Sequence, residues 1–206
     1  MATPVRVAVF DLGNVLITWD RRLLYGPMFA SSVELEHFLT DVYSLEVNER
    51  FDRGQSLSAF TEQLALEHPR YAEQIFALRE RWIETVGPVI AGTVAILAEL
   101  RDARVPLYAL SNWNADTFAL VEPRHEFLQW FDGVVLSGRE GLVKPEPAIY
   151  ELLCARYGFA PHEALFIDDT AANVDAARAI GMKAELFTTP EKLRAALMTR
   201  GLLRAH

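Results

Sequence analysis

Apolar residues change their spacing twice along this chain of 206 residues. Val5 to Phe10 is an apolar, β-branched run that reads as a buried strand and ends on a carboxylate, Asp11. Gly13 and Asn14 follow, two residues that accept tight or left-handed backbone. Beyond Leu16 the spacing becomes helical. Ser31 and Ser32 are N-cap residues for a helix over Val33–Tyr43, whose Leu35, Phe38, Leu39 and Val42 recur at helical intervals. Ser56 or Ser58 opens another helix through Leu66, and Pro69 opens a third through Trp82 to Val86, where Gly87-Pro88 punctuates the end. No strand is expected within this block.

From Ile90 onward helix and strand alternate. Helices are predicted over Gly92–Asp102, Asn114–Val121, Glu146–Tyr157, Thr170–Ile180 and Pro190–Thr199. Strands are predicted over Pro106–Leu110, Gly133–Leu136, Ala164–Ile167 and Lys183–Phe187. Such alternation implies right-handed crossovers and a doubly wound parallel sheet, an α/β fold. The expected organisation is a core from residues 1–17 plus 88–206, interrupted by an all-helical insertion over 18–87.

Composition narrows the class. At 51% hydrophobic the chain can bury a sizeable core, and a net charge of −8 argues against a nucleic-acid surface. The single cysteine, Cys154, lies in an apolar helical pattern and reads as a buried structural thiol, so no internal disulfide is expected. No apolar run reaches membrane-spanning length and no basic-then-apolar leader precedes the first strand, so a soluble cytoplasmic protein with no membrane partner is expected. Nothing in the pattern bears on oligomeric state.

Three predicted strands end on polar groups: Asp11, Ser111-Asn112 and Asp168-Asp169. In a parallel sheet these ends share one edge, where open α/β folds place their ligands. Lys144 stands between them in the order of the chain, before Pro145 and a helix start. Each has a structural reading: Ser111 as a helix cap, Asp168-Asp169 as cap and dipole partner, Lys144 as a solvated cation. Together, one cation with three carboxylates and a hydroxyl make a coherent site for a phosphate and a divalent metal, because Mg²⁺ takes one or two protein carboxylates and completes its shell with water and substrate oxygen.

These motifs resemble those of the haloacid dehalogenase (HAD) superfamily of hydrolases, and the resemblance spans essentially the whole chain. Asp11-Leu12-Gly13-Asn14-Val15-Leu16 matches the first motif and Leu110-Ser111-Asn112 the second. Lys144-Pro145 matches the third, and Phe166-Ile167-Asp168-Asp169, with Asn173 after it, the fourth. The family likeness implies a Rossmann-like core with a helical C1-type cap, and Asp-Leu-Gly-Asn-Val resembles the glucose-1-phosphatase-like branch. It further implies a Mg²⁺-dependent phosphomonoester hydrolase acting on a small phosphorylated metabolite such as a sugar phosphate. Asp11 would be the nucleophile that forms an aspartyl-phosphate. Mg²⁺ would be held by Asp11, the backbone carbonyl of Gly13 and Asp169, with Asp168 and Asn173 behind them. Ser111, Asn112 and Lys144, with nearby backbone N–H groups, would bind phosphate.

Gly13 is a departure, because the family places an acid there to protonate the leaving oxygen, a role typically worth about 10²–10⁴-fold. Asp20 is a candidate substitute, with an N-cap for the helix near Arg21 as its alternative role. Trp19, Arg21, Tyr25 and Phe51 are candidate lining residues, or core. Two other activities stay open: a metal-independent 2-haloacid dehalogenase, against which Asp168-Asp169 stands, and a degenerate family member with a binding or regulatory role.

Overall fold

Val7, Ala8, Val9 and Phe10 are all buried, as a strand covered on both faces requires. The computed structural model describes residues 4–204; residues 1–3 and 205–206 of the expected core lie outside them. In chain order the elements are β1 (Val7–Phe10), β2 (Ile17–Trp19), α1 (Arg22–Tyr25), α2 (Ser32–His37), α3 (Leu45–Asp52), α4 (Leu57–Glu67), α5 (Ala72–Arg81) and β3 (Val86–Val89). Then follow α6 (Ala91–Asp102), β4 (Leu107–Ser111), α7 (Ala115–Val121), β5 (Gly133–Leu136), α8 (Ser137–Glu140), α9 (Pro147–Tyr157), β6 (Ala164–Asp168), α10 (Ala171–Ala179), β7 (Lys183–Leu186) and α11 (Pro190–Thr199).

The main sheet runs β5-β4-β1-β6-β7, and every neighbouring pair is parallel. Alternation along β1 divides its side chains between two apolar clusters. Ala8 and Phe10 join Leu97 of α6 and Leu197 of α11 on one face, while Val7 and Val9 join Leu153 of α9 and Val174 of α10 on the other. Helices therefore cover both faces, and the α/β, Rossmann-like doubly wound expectation holds. Cys154 is buried in the second cluster, and burial pushes its thiol up to about 11. No helix among the described residues is long and apolar enough to cross a membrane.

The insertion packs as one body with the sheet. Its Phe38, Tyr43, Phe60 and Trp82 belong to the same apolar cluster as Phe10 and Leu136. Tilted rings knit it together, with Tyr25–Phe38 centroids 4.7 Å apart and Tyr43–Phe60 5.8 Å apart, pairs of a kind worth about 0.5–1.5 kcal/mol beyond burial. Ser31, Ser44 and Ser56 cap α2, α3 and α4 through the N–H groups of Val33, Val47 and Ala59.

Two expectations for this region need correction, and one helix is not anticipated. The first helix does not continue as an α-helix to Tyr43; Phe38–Val42 widens into a π-turn. The segment 45–52, for which no element of its own is predicted, is a helix: Ser44 caps it through Val47 N–H, and Val47 and Phe51 stand one turn apart with Asn48 and Phe51 buried. The block also contains strands: β2 and β3 form an antiparallel ribbon at the junction with the core, with Ile17 opposite Val89 and Trp19 opposite Val86. Each strand is too short for a period-two signal, and Gly87-Pro88, the expected breaker, lies inside β3, where an edge position spares Pro88 a ladder bond.

Candidate active site

The order of the sheet assembles the site. β1 lies between β4 and β6, so the three strand ends expected to carry chemistry are immediate neighbours. Asp11 N–H donates to the Ile167 carbonyl at 2.8 Å, continuing the ladder one residue past β1. The chain then turns tightly: Asn14 sits at φ 54°, and its Oδ1 accepts from Trp19 N–H at 3.0 Å. Ser111 closes β4, buried, and Asp168 closes β6 with no exposed surface.

Lys144 arrives from the loop before α9 and is placed by Asn112. That amide accepts from Lys144 N–H at 2.8 Å and donates to the Lys144 carbonyl at 2.9 Å. The ammonium, on a side chain only 1% exposed, lies 3.0 Å from Asp11 Oδ1 and 2.6 Å from Asp168 Oδ2. Burial works against its charge, yet Asp11 and Asp168 together hold its pKa above the ordinary lysine value. Burial also pushes the Asp11 carboxyl up; Lys144 opposes this, while Asp168 and Asp169 add to it. Asp169 is raised by burial and by Asp168, against Lys144 and the hydrogen bond from Thr170. Three carboxylates face one ammonium, and the excess negative charge suits a cation.

Carboxylate oxygens of Asp11, Asp168 and Asp169 lie within 4.8 Å of one another, an all-oxygen set of the kind Mg²⁺ takes. Asp168 is already saturated. Its Oδ1 accepts from Thr170 N–H at 2.8 Å and Asn173 Nδ2 at 3.0 Å; its Oδ2 accepts from Lys144 and, at 3.1 Å, from Asn173. Asp11 and Asp169 are therefore the carboxylates that fit the cation, with Gly13 bordering the same space. Asp168 pairs with Lys144, and Asn173 donates to both oxygens of Asp168.

A cavity of about 440 Å³ opens over this edge. Its floor is Asp11, Gly13, Ser111, Lys144 and Asp169; its other walls include Trp19, Leu45, Phe51, Trp82 and Trp113 from the ribbon, the helical insertion and the loop after β4. Trp82 and Trp113 lie 6.0 Å apart, centroid to centroid. Trp19 and Phe51 thus line the cavity as expected.

Four of the candidates take up other positions or partners. Arg21 is buried elsewhere, donating to the Tyr43 carbonyl, and Tyr25 is enclosed beneath Phe38 and Tyr43; both belong to the core of the insertion. Asp20 does not border the cavity; its Oδ1 accepts from Arg22 N–H at 2.9 Å and its side chain is 43% exposed, so it shapes a turn. Asn112 borders the cavity, but its side-chain amide is spent on the Lys144 backbone. Among nearby backbone donors, Leu12 N–H is committed to Asp11 Oδ1 at 2.7 Å and Trp113 N–H to Ser137 Oγ at 2.9 Å.

Sequence reasoning missed Asp52, a carboxylate on the cavity wall at the end of α3. Its Oδ2 accepts from Asn48 Nδ2 at 2.8 Å, and Asn48 Oδ1 accepts from Tyr43 OH at 2.6 Å. Burial pushes the Asp52 carboxyl up to about 8 against the Asn48 hydrogen bond; Glu49 and Asp11 add to the rise and Lys144 opposes it. The available signal was Ser44, a helix start signal, followed by Val47 and Phe51 at an i, i+4 interval.

Comparison with known proteins agrees with this geometry. Residues 5–181 match the family model of haloacid dehalogenase-like hydrolases. The chain is 31% identical over 183 residues to the sesquiterpene phosphatase astK of Aspergillus oryzae, covering 88% of this chain and 89% of that protein. A predicted HAD-like family hydrolase from Porphyromonas gingivalis superposes with a TM-score of 0.73 at 28% identity, over 98% of this chain and 100% of that one. A HAD family enzyme from Bacteroides thetaiotaomicron, solved with magnesium and inorganic phosphate, shares the fold with a TM-score of 0.68 at 20% identity, over 90% of this chain and 95% of that one.

Proposed function

Because the chain belongs to the haloacid dehalogenase-like hydrolases, we propose that it is a Mg²⁺-dependent phosphomonoester hydrolase whose substrate carries a compact apolar group. The observation that carries the reading is Lys144 buried between Asp11 and Asp168, with Asp169 completing the acid cluster beneath one cavity. Phosphoryl transfer depends mainly on positioning and on neutralising charge, and this edge supplies both.

Asp11 attacks phosphorus and becomes an aspartyl-phosphate that water then hydrolyses. Its Oδ1 is held by Leu12 N–H and Lys144, which fixes the carboxylate plane. Lys144 neutralises both nucleophile and phosphate, and Ser111 donates to a phosphate oxygen. Mg²⁺, held by Asp11, Asp169 and the Gly13 carbonyl, supplies charge neutralisation at the transferring group. A displacement of halide from carbon would have no use for Asp169. Residues 18–87 serve as the cap that closes the cavity and excludes water.

For the leaving group, the walls favour hydrocarbon. Trp19, Leu45, Phe51, Trp82 and Trp113 offer broad apolar surface, whereas polar side chains on that wall are engaged: Asn48 with Tyr43 and Asp52, Glu49 with Arg53, and Thr117 with the Asn114 carbonyl. A sugar needs many hydrogen-bond partners, because a buried hydroxyl left unpaired costs about 1–3 kcal/mol. Similarity to a sesquiterpene phosphatase points the same way. We therefore place an isoprenoid-like alkyl phosphate ahead of the sugar phosphate.

The test is phosphate release from farnesyl monophosphate, glucose 1-phosphate and p-nitrophenyl phosphate, with and without Mg²⁺, for wild type and Asp11→Asn. Metal-dependent release that vanishes in Asp11→Asn is expected, with the highest kcat/KM on the isoprenoid ester. No release from any ester by folded protein would overturn the phosphatase reading. A higher kcat/KM on the sugar phosphate would overturn the apolar substrate.

A further inference from the structure

The geometry points to Asp52 as the acid that protonates the leaving oxygen, taking from the cap the role that Gly13 leaves vacant in the core. This inference rests on the phosphatase reading above. Asp52 borders the same cavity as Asp11 and Lys144. It is held over the sheet edge by the core itself. Ser137 Oγ donates to the Asp52 carbonyl at 2.7 Å, and Asn114 Nδ2 donates to the carbonyls of Phe51 and Gln55 at 2.7 and 2.9 Å. Close approach tightens the junction further: a Cβ on Gly54, which sits at φ 102°, would stand 2.6 Å from the Gly138 carbonyl oxygen.

A purely structural role explains Asp52 poorly. As the last residue of α3 it faces the negative end of the helix dipole, where a cation is the stabilising choice. The charges that act on its carboxyl are Glu49 on its own helix and Lys144 and Asp11 from the core, two negative and one positive. In that setting, with burial foremost, the carboxyl is held well above the ordinary aspartate range and keeps its proton at neutral pH. Asn48, itself fixed by Tyr43, orients it.

In the first step the bond between an Asp11 oxygen and phosphorus forms as the bond from phosphorus to the ester oxygen breaks. That oxygen keeps the electron pair and takes the Asp52 proton, leaving as an alcohol. In the second, the Asp52 carboxylate accepts a proton from the water that attacks the aspartyl-phosphate. The Asp11–phosphorus bond breaks, and inorganic phosphate and both starting carboxyl groups are restored.

The experiment compares farnesyl monophosphate, whose alkoxide needs a proton, with p-nitrophenyl phosphate, whose phenolate does not. Asp52→Asn is expected to slow the first by about 10²–10⁴-fold, while the pre-steady-state burst of nitrophenolate changes by less than about threefold. A second variant guards against a folding defect. Gly13 has open space where a Cβ would stand, so Gly13→Asp in the Asp52→Asn background is expected to regain at least tenfold on the alkyl ester. Asp52→Asn with wild-type rates on both esters, or equal losses on both without rescue by Gly13→Asp, would overturn the assignment and leave the phosphatase reading intact. A wild-type protein that releases phosphate from neither ester would remove both.

Discussion

Asn114 ties the helical insertion to the catalytic edge through two hydrogen bonds, and its removal should be costly in a way that can be divided. The residue is 3% exposed and uses its side chain at both ends. Oδ1 accepts from Asp116 N–H at 2.9 Å and caps α7, while Nδ2 serves the Phe51 and Gln55 carbonyls on either side of Asp52. Losing an N-cap costs about 1 kcal/mol. Each of the two hydrogen bonds is worth about 1 kcal/mol more, so Asn114→Ala should lose about 3 kcal/mol. For a chain of this size that lowers the melting temperature by about 6–12 °C. Asn114→Ser keeps a capping oxygen and loses only the tie, so its loss should be about 2 kcal/mol. Urea unfolding followed by tryptophan fluorescence measures both, and phosphatase assays on the same samples should show a lower kcat in each, because the segment carrying Asp52 keeps the Ser137 bond but loses the two from Asn114. If Asn114→Ser unfolds at the wild-type urea concentration, the tie contributes nothing and the account of how the core holds Asp52 is wrong.

Two further outcomes follow from the charges. Lys144→Met leaves Asp11 and Asp168 buried without their cation, and should destabilise the folded protein by about 3–5 kcal/mol in metal-free buffer at neutral pH. Burial already pushes the Asp11 carboxyl up, and removing the cation that opposes this raises it further, so the variant's folded state takes up protons and the deficit should shrink between pH 8 and pH 5; an equal deficit at both would refute the pairing. Glu163, bound in a fork by Arg6 at 2.7 and 2.9 Å and by Ala160 N–H at 2.8 Å, has its carboxyl held down at about 2. Its stabilisation is present above the unfolded glutamate range and lost as pH falls through the folded value; a carboxyl NMR titration should show that midpoint and its rise in Arg6→Ala, and an ordinary midpoint in the wild type would refute it.

Much of this protein is written locally. The spacing of Val7 to Phe10, the Ala-rich run of α10 closed by Gly181 and the Pro190 start of α11 are decided by neighbours in the chain, and they mark out an alternating α/β fold. Once that alternation is read, Asp11, Ser111, Lys144 and the Asp168-Asp169 pair must meet, because parallel strands present their carboxyl ends on one edge. The finer division of labour was not local. Asp168 and Asp169 look equivalent in sequence, and only the packing of Lys144, Asn173 and Thr170 around Asp168 separates a saturated brace from a free ligand. Asp20 and Asp52 are likewise two acids near helix ends. A local bond from Arg22 N–H holds the first in a surface turn, whereas bonds from Asn114 and Ser137 that span 59 to 85 positions fasten the segment of the second over the site. The ribbon of β2 and β3 exists for the same reason. Local propensity governs which segments become helix or strand, but a short strand or a lone acid takes its role from groups that only the folded chain brings within reach.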